Sequence, residues 1–441
     1  MDNFFEPVTV HDKVFGNPYV SRKRNPFNDK RLGPVWSTLK ERMTTEQSAV
    51  VHQLGRTTAE MDSFYNFYNN PKVTTEELIK MNCGVKPESL EQAHVLVLGD
   101  SSSFTMSKKG RIRDMENFGV LNDGSTPGFN THVNLVVDAK EETVLGLGDI
   151  MYWFRPKKAK TAKRMDHTKI PFEQKESYRW ALGALNAQTI TQQADLRTHV
   201  YDSESDYFGL MVYLHHELRD EFVIRSKHNR TVDWQGQSLK LSAVLSQVPP
   251  MGIQEIELRK LDHYSRTAGV RKKRVTRKAN LEIKSTAITI SGKSRLGFDN
   301  ELPLYVVQAK EIVKEPLPEG ESPVHWILFT THPVTCLEEA LEILRYYAAR
   351  WIIEQFFRAL KKKGFQIEAT ELTTSSAIVK QTTMAMKAAC DTLQLVYAHK
   401  GTNEQVADQV FNEKEQQVLQ KVNEHLQGNT EKKRIRFPQK V

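Results

Sequence analysis

Cysteine is nearly absent from this chain of 441 residues. Cys83, Cys336 and Cys390 are the only three, and they stand at no metal-ligand spacing. That excludes a disulfide framework and predicts a reduced, cytosolic setting. Long apolar runs are missing too. Nothing approaches the roughly 18–20 residues of a membrane span. The opening MDNFFEPVTV lacks the basic-then-apolar order of a signal peptide. There are no internal repeats and no low-complexity tract. What is abundant is charge. Lys and Arg outnumber Asp and Glu by 62 to 54, for a net charge of +8. Such a balance suits a polyanionic partner. The length allows two or three domains.

The stretch Leu341–Gly364 (LEILRYYAARWIIEQFFRALKKKG) is expected to form one long helix. Thr335 and Glu338 read as its capping box and Gly364 as its stop. At about 100° per residue, Tyr347, Arg350, Glu354 and Lys361 share a face roughly 60° wide. Ile352, Phe356, Ala359 and Leu360 point elsewhere. An acid in such a stripe among apolar neighbours needs a cation or a metal, because a bare buried charge is costly. An ordinary Arg350–Glu354 ion pair would also meet that need. Trp351 reads as core or pocket wall.

Upstream, two further acids occupy telling positions. His94–Asp100 is a short apolar run ending on an acid, the pattern of a buried strand that delivers a carboxylate at its C-terminal edge. Arg197–Tyr201 also reads as a strand, ending at Asp202, with Glu204 and Asp206 as rivals close by. Strands are expected at Thr131–Val137, Thr143–Ile150 and Phe222–Arg225, and a helix at Glu173–Ala194. Before them, Val35–Met43, Thr58–Tyr68 and a segment from Thr74–Glu77 read as helices. After Arg225 comes a β-rich stretch of about a hundred residues. It includes Leu281–Ile283, Ala287–Ile290, Leu304–Val307 and Trp326–Thr330. Within it, Arg271–Lys278 holds six basic residues in eight. Beyond Lys361, helices are expected at Ser375–Ala398 and Asn403–Leu426, with Met384, Met386 and Leu393 as core.

Five motifs stand in order: L-G-D at Asp100, D-x-E-x-D at Asp202, R-S-K-H at Arg225–His228, P-x-x-W at Trp326, and Y-x2-R-x3-E-x6-K from Tyr347. Together they resemble the bacterial cut-and-paste DDE transposases of the insertion-sequence-four group, in particular its transposon-Five-like branch. Ser203 stands where that group more often has Arg. Tyr65, Phe67, Asn70, Pro71 and Val73 are similar to a stretch of its N-terminal end-binding domain.

The resemblance implies an α/β, ribonuclease-H-like catalytic domain over residues 81–370, with a β insertion at about 230–332. A helical end-binding domain at 1–80 and a helical C-terminal region at 371–441 would flank it, the latter a possible dimer contact. It implies that Asp100, Asp202 and Glu354 are catalytic and hold two Mg²⁺ ions, for which Mn²⁺ could substitute. The partners would be double-stranded DNA, both transposon terminal repeats and target, and a second copy of the chain. No membrane would be involved, and the place would be the bacterial cytoplasm at the nucleoid. Trp326 would stack on a flipped base, with Tyr347, Arg350 and Lys361 holding the backbone. Arg225, Lys227 and His228 would line the site. Arg22, Lys23, Arg24, Lys30, Arg31, Lys272, Lys273 and Arg274 would contact phosphates. The reaction would be nicking, hairpin formation and opening, and strand transfer. A non-cutting regulator that occupies element ends, or a metal-dependent nuclease on the same fold, are the alternatives.

Overall fold

The computed structural model describes residues 27, 29–106, 112–157, 172–258, 261–265, 270–274, 276–292, 301–318, 321–361 and 364–400. The expected helix at Asn403–Leu426 and the residues Arg22, Lys23 and Arg24 lie outside them. The chain forms two compact units. One runs up to Asp195 and resumes at Trp351; the other is Leu196–Arg350.

The first unit opens with helices α1 (Leu32–Glu46), α2 (Val51–Leu54), α3 (Thr58–Asn69) and α4 (Thr75–Asn82). Local signals set their ends. The Thr57 hydroxyl accepts the Glu60 N–H at 3.2 Å to start α3, and α3 stops just before Pro71. Thr74 and Glu77 form a reciprocal capping box at the head of α4. Strands β1 (His94–Thr105), β2 (Gly119–Val120), β3 (Pro127–Asp138) and β4 (Val144–Trp153) follow. β3 lies between β1 and β4, antiparallel to both. Helix α5 (Tyr178–Ile190) packs on this sheet through Trp180, Ala181, Leu182, Ala184 and Ala187.

The second unit begins with β5 (Leu196–Tyr201), which runs parallel to β6 (Glu221–Arg225). A parallel pair needs a crossover. Here α6 (Phe208–Val212) and a π-helical turn over Tyr213–Glu217 supply it. The chain then builds β7 (Thr231–Trp234), β8 (Gln237–Lys240), α7 (Leu241–Gln247) and β9 (Gly252–Leu258). Between β7 and β8, Gln235 and Gly236 both have positive φ, 55° and 76°, as a two-residue hairpin turn requires.

A separate hairpin joins β10 (Leu261–Ser265) to β11 (Val270–Arg274). Then come β12 (Arg277–Ser291), β13 (Glu301–Glu311) and β14 (His325–Thr330). The order within this unit is β5-β6-β14-β13-β12-β7-β8, with β9 also pairing to β12. Apart from β5 and β6, these pairs are antiparallel. Leu281–Ile283 and Ala287–Ile290, two strands by their alternation, are one strand. Lys284–Thr286 continue the pairing with β13 without a gap. Helix α8 (Leu337–Ala349) packs on β5, β6, β12 and β13.

The chain returns to the first unit with α9 (Trp351–Lys361) and α10 (Ser375–Lys400). Met384 and Met386 are fully buried and Leu393 nearly so. Helix α10 packs against α1, α3, α4 and β4. Its Lys380 ammonium donates to the Tyr68 and Asn70 carbonyls at 3.2 and 3.0 Å, closing the C-terminal end of α3. The first unit is therefore mixed in composition and layered: α5 on one face of its sheet, α9 and α10 on the other. Strand alternation supports this arrangement. Ser101 of β1 bonds to Arg179 of α5, whereas Tyr152, paired with Thr131, reaches Thr383 of α10. No helix among the described residues is long and apolar enough to cross a membrane. All three cysteines are free thiols.

Candidate active site

In the first unit, Asp100 does not end its strand. β1 continues five residues beyond it, and Asp100 pairs with Val133 in mid-ladder. The Ser101–Thr105 segment is polar but β-competent, and its partner strand β3 supplies the ladder that extends it. The register is unbroken, so Asp100, Ser102 and Phe104 project to one face. The Lys361 ammonium of α9 lies 5.3 Å from the centroid of the Phe104 ring. Asp100 therefore projects to the face that α9 covers, and α9 carries Glu354. Both carboxylates are half-buried. Asp100 Oδ1 accepts the Ser101 N–H at 2.7 Å.

The opposite face of β1 holds a network that leaves no signal in the sequence. The Ser101 hydroxyl bonds to His132 Nδ1 at 2.9 Å and accepts from Arg179 Nε at 3.0 Å. The Arg179 guanidinium stands 5.3 Å and 5.4 Å from the Trp153 and Trp180 rings. Burial, with Arg179 nearby, holds the His132 imidazole neutral, well below its ordinary range.

In the second unit, Asp202 follows β5 directly. Its Oδ1 accepts the Glu204 N–H at 2.9 Å, and its backbone carbonyl accepts from the Ser205 hydroxyl at 2.7 Å. Asp202 thereby caps a 3₁₀ turn, Ser203–Ser205, while remaining partly exposed. Of its two rivals, Glu204 is exposed. Asp206 is buried, and its carboxylate is engaged by the Lys227 and His228 N–H groups and by Arg230.

The same unit brings together Trp326, Tyr347 and Arg350. The Trp326 and Tyr347 rings meet edge-on, with centroids 5.5 Å apart. The Arg350 guanidinium lies 5.9 Å from the Tyr347 ring centroid. Arg225 ends β6 and donates to the His325 carbonyl at 3.5 Å, a long contact. Lys227 and His228 are exposed on the turn that follows.

Residues 192–390 match the transposase DDE domain. The match supports a transposase of the DDE type, a class that acts on DNA with divalent metal ions. It takes in Asp202, the R-S-K-H turn, Trp326 and the segment from Tyr347 to Lys361. Asp100 and the N-terminal helices lie upstream of it.

Within this matched segment the expected single helix is two. α8 ends at Ala349, Arg350 forms a turn, and α9 begins at Trp351. The Arg350 N–H bonds to the Tyr347 carbonyl at 3.2 Å, one residue tighter than the α pattern. No Pro or Gly marks this point, so periodicity runs straight through it. Tyr347 thus lies on α8, Arg350 at the turn, and Glu354 and Lys361 on α9. The helix start also shifts by one: Glu339, not Glu338, accepts from Thr335 N–H and Oγ1 at 2.6 and 2.8 Å. Trp351 is 47% exposed rather than core. It shares a helix face with Gln355 and Arg358, opposite the buried Ile352, Ile353, Phe356 and Leu360.

Of the outlying basic residues, Arg31 is paired with Asp29 at 2.8 Å on the surface, and Lys30 is exposed. Lys272, Lys273 and Arg274 form part of β11. Arg277 and Lys278, in the same charge run, are tied to Glu311 and Glu321, and to Glu255. The acids available to a hard cation are carboxylates of the kind Mg²⁺ and Mn²⁺ take. Within either unit, no group of three or more His, Cys, Asp or Glu side chains gathers around an ion-sized space among the described residues.

Proposed function

We propose that this protein is a cut-and-paste DDE transposase that uses a ribonuclease-H-like catalytic domain. The match of residues 192–390 to the transposase DDE domain carries this reading, since it includes both Asp202 at the end of a parallel strand and Glu354 on α9. In this reading residues 1–80 bind element ends, 81–370 catalyse, with an insertion at about 230–332, and 371–441 help pair two copies.

Asp100, Asp202 and Glu354 would hold the metal ions. Bound there, divalent ions supply Lewis-acid stabilisation and a water of lowered pKa. Asp100, in mid-strand, and Asp202, capping its own turn, are carboxylates fixed by backbone before any ion arrives, which limits the reorganisation that binding requires. Each reaction is an in-line displacement at phosphorus. Water attacks one strand and the 3′ oxygen leaves. That 3′ hydroxyl attacks the phosphorus of the opposite strand, which closes a hairpin on the element end and expels the 3′ oxygen of the flanking strand as a free 3′ hydroxyl. Water reopens the hairpin, and the 3′ hydroxyl finally joins target DNA. Tyr347 and Arg350 are poised around Trp326, a planar surface on which an extruded base could stack for ~1–3 kcal/mol. Arg225, Lys227 and His228 offer donors to phosphates.

The test is cleavage of a plasmid carrying the DNA that flanks the gene's own element, in Mg²⁺ or Mn²⁺. Wild type is expected to nick, form hairpins and join strands. Asp100→Ala, Asp202→Ala and Glu354→Ala should each lower nicking by roughly two to three orders of magnitude, with end binding within a few fold. Undiminished nicking by any one variant removes that residue from the site. Binding without cutting by the wild type identifies a regulator instead.

A further inference from the structure

Asp206 has no assigned part in this chemistry, yet it is the most fully engaged acid of the D-x-E-x-D segment. Its side chain is 0% exposed. Oδ2 accepts the Lys227 N–H at 2.6 Å and the His228 N–H at 3.2 Å, and Oδ1 is paired with the Arg230 guanidinium. Arg230 in turn lies 5.2 Å from the Phe329 ring centroid and is held in place by it. Around this acceptor the chain from Ser226 to Arg230 makes a tight turn. The Ser226 N–H donates to the Ile327 carbonyl at 2.8 Å, and the Arg230 N–H to that of His228 at 2.9 Å. Asn229 is bound on both sides to Ser242. The side chains of Lys227 and His228 are left facing solvent.

The other end of the connection is equally short. Asp206 leaves the 3₁₀ turn that Asp202 caps, with the Ser205 hydroxyl bonded to the Asp202 carbonyl. One segment of five residues therefore carries a partly exposed acid at one end and, at the other, a buried acid that grips a basic turn. A buried carboxylate with three donors, two of them backbone N–H groups, is a structural anchor and not a metal ligand.

We propose that Asp206 is a positioning residue: it locks the 226–230 turn to the Asp202 turn and so presents Lys227 and His228 as a rigid contact for a DNA phosphate. This rests on the transposase reading for its partner, but its geometry lies wholly in the second unit. Asp206 acts through the turn, so its effect on DNA binding should vanish when the turn's own basic side chains are removed.

The test uses the full chain and a random-sequence duplex of about 40 base pairs. Hydrogen exchange at the Lys227 and His228 amides should accelerate at least about tenfold in Asp206→Ala. The slope of log affinity against log salt should fall by about one, the value of a single phosphate contact. Lys227→Ala/His228→Ala should give the same fall, and Asp206→Ala added to that pair should give no further change. Asp206→Asn, which keeps a carbonyl acceptor but loses the charge facing Arg230, should lie between and serves if the alanine variant fails to fold. Arg230→Met in the Asp206→Asn background should restore part of the amide protection.

Unchanged exchange at the two amides overturns the proposal. So does an effect of Asp206→Ala that adds in full to the double variant, which is the mark of a general structural role. A wild type whose duplex binding depends on this turn, but which cuts nothing in the cleavage assay, sinks the transposase reading and leaves the positioning role standing. A wild type that does not bind duplex DNA overturns both.

Discussion

Asp202 and Asp206 are chemically identical and stand four residues apart, but their surroundings give them opposite uses. Asp202 spends one oxygen on a backbone N–H and stays partly open; Asp206 is sealed by three donors. A third aspartate, Asp149, shows what burial does without a cation. It is 5% exposed, Oδ1 accepts from Asn186 at 3.1 Å, and burial pushes its carboxyl up to about 7. The sign of the consequence follows. Between about pH 4 and 7 the folded chain keeps a proton that the unfolded chain has released. This group's contribution is complete below about pH 4 and is lost as pH rises through about 7. Asp149→Asn should therefore match wild type near pH 4 and exceed it at pH 8, by on the order of 4 kcal/mol. Urea unfolding at both pH values checks this, and parallel pH profiles for the two proteins would count against it.

At the scale of elements, close approach decides what local propensity leaves open. Gly146 in β4 faces Gly84, whose N–H bonds to the Leu147 carbonyl at 2.7 Å. A Cβ at Gly146 would stand 1.9 Å from the Gly84 carbonyl oxygen, a backbone atom that cannot swing aside. Gly146→Ala should thus cost about 1–3 kcal/mol or more, read as a lowered midpoint in thermal or urea unfolding; a wild-type midpoint would mean the bridge yields freely. The α8–α9 junction is the converse case. Every residue from Tyr347 to Trp351 is compatible with helix, and neither Pro nor Gly marks the turn at Arg350. The strand β12 is a third instance. Lys284–Thr286 interrupts the apolar alternation, yet the ladder with β13 runs on through it, because the register is held by the paired segments on either side.

For the whole molecule, the net charge of +8 is less informative than where charge is already satisfied. Arg277 is clasped by two glutamates that are each 3% exposed, and Lys278 pairs with Glu255 at 2.6 Å. Arg277 thus belongs to the fold and Lys278 is paired on the surface, although both continue the basic run that begins at Arg271. Neutralising Arg271–Arg274 to Gln should flatten the salt dependence of duplex binding by several units of slope, up to about 0.9 for each phosphate no longer neutralised. Arg277→Gln should lower stability and leave the slope unchanged. Titrating binding from 50 to 200 mM salt for both variants separates these outcomes. Equal slopes for wild type and the Arg271–Arg274 variant would make that run a solvated surface.

Features with local causes were legible in the amino-acid order. Thr57 and Thr74 announced α3 and α4 because a hydroxyl caps the N–H groups next to it. The apolar run before Asp100 announced β1, because a strand buried on both faces tends to be apolar throughout. The five ordered motifs resembled those of the DDE transposases, and the match to the transposase DDE domain supports a transposase. The extension of β1 past Asp100, the break at Arg350, the exposure of Trp351 and the partners of Asp206 and Arg277 came from folding in three dimensions. For β1, Asp206 and Arg277 the deciding contact joins residues distant in the chain; at Arg350 and Trp351 no Pro or Gly marks the outcome. Neither leaves a periodic trace in sequence, since periodicity records which face a residue occupies and not what it meets there.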